Sequence, residues 1–147
     1  MYRIANFRRQ HEALLEICEQ LSKTSRVIDT REHASECARL LARLTGILTQ
    51  HLAAEDHALY PKLIASSSPH VSDTARSFSM QMGGQAQKYL RFEAEWRSSQ
   101  AILKNSGRFR LELLRVLAML QTRIEREERI LYPMLEKIEK PEHSDAA

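Results

Sequence analysis

Apolar residues recur along this chain at steps of three and four, the period of one helix face. The first run, Asn6 to about Leu21, holds Phe7, His11, Leu14, Leu15, Cys18 and Leu21 in phase, with Ile4 just before it. A second run extends from Asp29 to about Ala65, with Asp29 or Thr30 as its cap and Gly46 as its one internal glycine. Its stripe is Ala34, Cys37, Leu41, Leu44, Leu48, His51, Glu55 and Leu59. The segment SSSPH, residues 66–70, is a connector. A third run carries Val71, Ala75, Phe78, Met82, Gln85 or Ala86, Tyr89, Glu93 and Trp96, with Met80 and Met82 read as core filler. KNSG, residues 104–107, supplies the next turn. The last run carries Phe109, Leu113, Val116, Leu120, Ile124, Glu127, Leu131, Met134 and Ile138. Four helices with short connections predict an all-α, antiparallel up-down-up-down four-helix bundle. Residues 1–140 form its single domain, and 141–147 are expected to be a flexible tail.

Composition narrows the picture without redirecting it. Four Gly and four Pro in 147 residues are too few for the turns of an all-β fold. No run of about eighteen apolar residues occurs, so no membrane span is expected. The N-terminal segment has charges inside its apolar stretch and does not read as a signal peptide, which leaves the cytoplasm as the expected compartment. Cys18 and Cys37 are too few for a disulfide framework or a Cys-based zinc site and read as core thiols. The net charge of +3 comes from 22 basic and 19 acidic residues that alternate along the helices, so no nucleic-acid footprint is expected.

The apolar stripes contain intruders. His11, His51, Glu55 and Glu127 fall at positions that should face the core. An unpartnered buried carboxylate costs several kcal/mol or becomes neutral. Two Glu and two His on three helices call for a shared explanation, and a metal cation supplies one: it offsets the carboxylate charge and uses the imidazole lone pairs.

An internal repeat supports this reading. HLAAEDHALYPKL, residues 51–63, aligns without a gap on RIEREERILYPML, residues 123–135. Glu55, Leu59, Tyr60, Pro61 and Leu63 match Glu127, Leu131, Tyr132, Pro133 and Leu135, an offset of 72 residues (127 − 55). The chain therefore looks like two helical hairpins about a pseudo-two-fold axis. The second and fourth helices would lie on a diagonal, with Glu55 and Glu127 opposed across the axis as a dinuclear metal centre requires. His51 and Glu55, four apart, project from one helix face. His11 and Gly83 stand at equivalent depths, so the first hairpin offers His11, His51 and Glu55 where the second clearly offers only Glu127.

With these residues in view, the sequence resembles the hemerythrin-like family of HHE cation-binding four-helix bundles. The resemblance rests on His11 in RRQHEALLEI, on His51 and Glu55 in HLAAEDHALYP, and on Glu127 in RIEREERILYP. It implies a non-haem di-iron centre bridged by the two carboxylates and an oxo or hydroxo group, with single-metal occupancy as the alternative. It also implies binding, storage or sensing of dioxygen or a related small ligand. The family pattern adds a His at the opening of the last motif and others on the third helix. Here Arg123 holds the first of these positions, and the third helix offers only Gln81, Gln85 and Tyr89 as supporting groups or extra ligands. Arg123 reads either as a surface ion pair with Glu127 or as a neighbour of a bridging carboxylate or bound anion.

Other polar residues have plainer readings. Tyr60 and Tyr132 read as packing residues with a hydroxyl hydrogen bond, and His33, His57, His70 and His143 as surface residues. Gly83-Gly84 reads either as close helix packing or, at site depth, as a local irregularity such as a π-bulge. Three functions follow from the sequence: a small-ligand-binding iron protein, a di-iron oxidoreductase acting on peroxide or nitric oxide, or a structural bundle whose site has decayed. With no effector segment in view, any signal would pass to a protein partner.

Overall fold

Helices begin where the chain supplies a cap. Thr30 accepts the His33 N–H, Ser68 accepts the Val71 N–H ahead of Pro69, and Ser98 accepts the Ala101 N–H. A computed structural model describes residues 4–139, in the helices α1 (Ile4–Thr24), α2 (Arg31–Ala54), α3 (Tyr60–Ile64), α4 (Pro69–Met82), α5 (Gln85–Trp96), α6 (Ser99–Lys104), α7 (Ser106–Arg126) and α8 (Tyr132–Glu139). The tail, His143 within it, and the side chain of Ile138 lie outside the described residues. Among the described residues there is no strand, and no helix is long and apolar enough to cross a membrane.

Two π-helical turns join these elements into longer rods. Glu55–Leu59 fuses α2 to α3, and Glu127–Leu131 fuses α7 to α8. Both sit just upstream of a mid-helix proline, Pro61 or Pro133. Proline has no N–H, and its ring crowds the carbonyl four residues back. A widened turn with i→i+5 bonding accommodates both effects. The Tyr60 N–H accordingly bonds the Glu55 carbonyl, and the Tyr132 N–H bonds the Glu127 carbonyl.

Four rods result: α1, α2–α3, α4–α5 and α7–α8. The close pairings α1·α2, α2·α5, α5·α7 and α7·α1 form a ring that leaves the second and fourth rods on a diagonal. The core is divided. One apolar cluster centres on Leu14, Leu41, Leu44, Tyr89, Trp96 and Phe109. The other gathers Phe7, Tyr60, Leu63, Phe78, Tyr132 and Leu135 at the opposite end. Cys18 and Cys37 are buried in the first.

Several local expectations are corrected. The π irregularity belongs to the two core glutamates and not to Gly83-Gly84, which instead break the third rod between α4 and α5. Gly84 has φ +83°, a left-handed conformation that glycine adopts without penalty. KNSG holds the expected turn, at Asn105 between α6 and α7, and a further break at Arg97-Ser98 separates α5 from α6. Leu15 and Met80 are exposed, while Ile17 takes the core place on α1 and Met82 on α4.

Candidate metal centre

Between the two apolar clusters lies a layer of charged and polar side chains. His11, His51, Glu55, Arg123 and Glu127 are each at most 2% exposed. His11 projects from α1 and His51 from the last turn of α2. Glu55 and Glu127 open the two π turns, and Arg123 stands one turn before Glu127 on α7.

One donor atom from each of His11, His51, Glu55 and Glu127 lies within 4.8 Å of the others. The outer faces of the imidazoles settle what the inner faces present. His11 Nδ1 is 2.7 Å from Glu128 Oε2, and His51 Nδ1 is 2.5 Å from Gln10 Oε1. Both partners are acceptors, so each Nδ1 carries a proton, and in the neutral form of each ring the Nε2 lone pair turns inward. The two Nε2 atoms are 3.0 Å apart. Glu127 Oε1 is 3.1 Å from His11 Nε2, and Glu55 Oε1 is 3.3 Å from His51 Nε2. Glu127 Oε1 is sealed from water and accepts no hydrogen bond. Stacking of His11 on Tyr132 and the edge of Phe7 against His51 fix the ring planes. Two nitrogens and two oxygens thus point lone pairs at one small space, the arrangement that a cation satisfies. An imidazole and carboxylate set of this kind suits iron and its divalent neighbours.

Without a cation, protons serve instead. Burial opposes a charge on His11, but Glu127, Glu128 and Glu55 outweigh it and hold its pKa above the usual imidazole value. Burial, and then the charge on His11, push His51 down to about 4. Burial and the neighbouring Glu55 raise the Glu127 carboxyl.

The remaining carboxylate oxygens are held crosswise. The Tyr60 hydroxyl donates to Glu127 Oε2 at 2.6 Å, and its repeat mate, the Tyr132 hydroxyl, donates to Glu55 Oε2 at 2.7 Å. The acidic residues that follow the core glutamates also cross over. Glu128 bonds His11 of the first hairpin, and Asp56 accepts from Arg123 of the second at 2.8 Å. Each hairpin therefore completes the polar partners of the other.

Arg123 is no surface ion pair. Its Nε donates to Glu127 Oε2 at 3.1 Å, Nη2 to Glu55 Oε1 at 3.1 Å and to Asp56, and Nη1 to Gln85 Oε1 at 3.4 Å. All three nitrogens are engaged with protein acceptors, which argues against a role in holding a bound anion. Of the third-rod candidates, only half-buried Gln85 approaches the layer, and it does so through Arg123. Exposed Gln81 bonds Ser77 and Arg126, and buried Tyr89 pairs with Thr45 Oγ1 at 2.7 Å. Neither belongs to the group of converging donors. His33 is half-buried near the start of α2, and His57 and His70 are exposed.

Sequence reasoning gave the two tyrosines no part in the site and passed over Gln10, Asp56 and Glu128. The repeat held the signal for four of these five. Tyr60 matches Tyr132, and acidic Asp56 matches acidic Glu128, each pair at the offset of the core glutamates. Gln10 has no such mark.

The family model described as the hemerythrin HHE cation binding domain matches residues 3–142. No curated protein and no solved structure matches the chain. The match spans nearly the whole sequence and agrees with the four-rod bundle, so the chain belongs to the hemerythrin HHE cation-binding family.

Proposed function

We propose that this protein binds iron through His11, His51, Glu55 and Glu127, and uses it to bind dioxygen or a related small ligand. The observation that carries the reading is the convergence of four lone pairs with an unsatisfied carboxylate oxygen, Glu127 Oε1, in a water-excluded layer. Without a cation, this oxygen is met by His11 Nε2 at 3.1 Å, and only when His11 takes up a proton.

Each residue has a definite part. His11 and His51 are aimed by Glu128 and Gln10, which fix the tautomer that leaves Nε2 free to ligate. Tyr60 and Tyr132 fix the carboxylate planes by donating to one oxygen of each, Glu127 Oε2 and Glu55 Oε2. The apolar clusters on both sides exclude water. When bound, iron supplies redox activity and Lewis acidity that none of these side chains has.

The test is metal content after iron-replete expression, followed by absorption spectra with and without dioxygen. At least one iron per chain and a reversible spectral change with oxygen are expected. His51→Ala should lose the iron while its helical circular dichroism persists. Iron retained in full by that variant would remove His51 from the ligand set. Catalytic loss of added peroxide would instead favour an enzyme.

A further inference from the structure

We infer that the Arg123 guanidinium is a built-in cation, which holds the place of a second metal ion and limits the layer to one ion per chain. The inference rests on the metal-binding reading above and concerns how many ions that site accepts.

Three observations carry it. First, the pseudo-two-fold repeat places Arg123 opposite His51, so the site position that offers an imidazole lone pair in one half offers a cation in the other. The same symmetry places Gly83 opposite His11, so the second half offers no nitrogen donor at either position.

Second, Arg123 does what a bridging cation would do. It spans the carboxylates, with Nη2 on Glu55 Oε1 and Nε on Glu127 Oε2, each at 3.1 Å, and it is 2% exposed. Glu127 therefore faces two ways. Oε2 is taken by Arg123 and Tyr60, while Oε1 faces the histidines with no hydrogen bond.

Third, a fixed charge already stands on that side. The guanidinium places one positive charge against three carboxylates, those of Glu55, Asp56 and Glu127. A second ion beside Arg123 would meet a fixed positive charge in a low-dielectric layer, and the second half of the repeat offers it no imidazole. The planar fork makes several directed bonds at once, which suits Arg and not Lys to this position.

The experiment is a calorimetric titration of the metal-free full chain with ferrous ion under anaerobic conditions, with the bound metal counted after gel filtration. The wild type should saturate at one ion per chain. Arg123→His, which removes the fixed charge and adds an imidazole, should take a second ion, weaker than the first by about tenfold or more. Two ions in the wild type would overturn the role of Arg123 while leaving the iron-binding reading intact. A folded Arg123→His variant that stops at one ion would overturn it as well. No ion in the wild type would overturn both readings. The wild-type count decides the matter even where a variant fails to fold, and circular dichroism identifies that case.

Discussion

The two hairpins share a repeat and a position in the bundle, yet they treat the buried carboxylates differently. In the first, His51 stands four residues before Glu55 and is neutral, with its lone pair turned toward His11. In the second, Arg123 stands four residues before Glu127 and is permanently charged, bonded to both glutamates. One half leaves a need for positive charge unmet, and the other meets it from within the chain. Free imidazole lone pairs and an internal ion network are thus built from one motif, with Arg123 opposite His51 and Gly83 opposite His11.

The largest expected effect separates the halves directly. Arg123→Met in the metal-free protein strips two buried carboxylates of their cation and should cost about 3–5 kcal/mol in urea unfolding. His51→Ala leaves Gln10 and a small cavity and should cost about 1–3 kcal/mol. Equal losses would mean that the arginine half is not the structural one.

The tyrosines probe what the halves still share. Tyr60→Phe and Tyr132→Phe each delete one hydrogen bond to a buried carboxylate, and each should cost about 1.5–3 kcal/mol. Similar values in denaturant melts would support the pseudo-two-fold exchange. A loss confined to one of them would show that the carboxylates are not equivalently held.

The smallest effects lie in the backbone. Gly84→Ala forces an alanine to φ +83° and should cost about 1–2 kcal/mol. Gly46 is exposed within α2, with nothing within 4 Å of an added methyl group, and its repeat mate is Ala118. Gly46→Ala should therefore raise stability by about 0.5–1 kcal/mol. Opposite shifts in melting temperature are the expected readout.

Much of this was legible in the sequence, for physical reasons. Stripes such as Leu41, Leu44 and Leu48 report burial directly, because a helix face repeats at the same period as the apolar residues. His11, His51, Glu55 and Glu127 stood out because charge on an apolar face demands a partner. The partners themselves were harder to see. Tyr60 and Tyr132 satisfy glutamates that are 67 and 77 residues away in the chain. No local period encodes such a contact, although the repeat showed that the tyrosines belonged together. The π turns were missed for a different reason. Pro61 and Pro133 were read as markers of the repeat, when their missing N–H groups already required a change in the helix upstream. Gly83-Gly84 drew that expectation instead, because glycine also signals irregularity. There it gave a left-handed break.

The crosswise bonding has a consequence for how the chain folds. Glu55 waits for Tyr132 and Arg123, and Glu127 waits for Tyr60, so neither hairpin is electrostatically complete by itself. A half-formed bundle would hold a carboxylate out of water without its donors, a species too costly to accumulate. The two hairpins should therefore fold as one unit, and both ends of the bundle should open to hydrogen exchange with one common free energy.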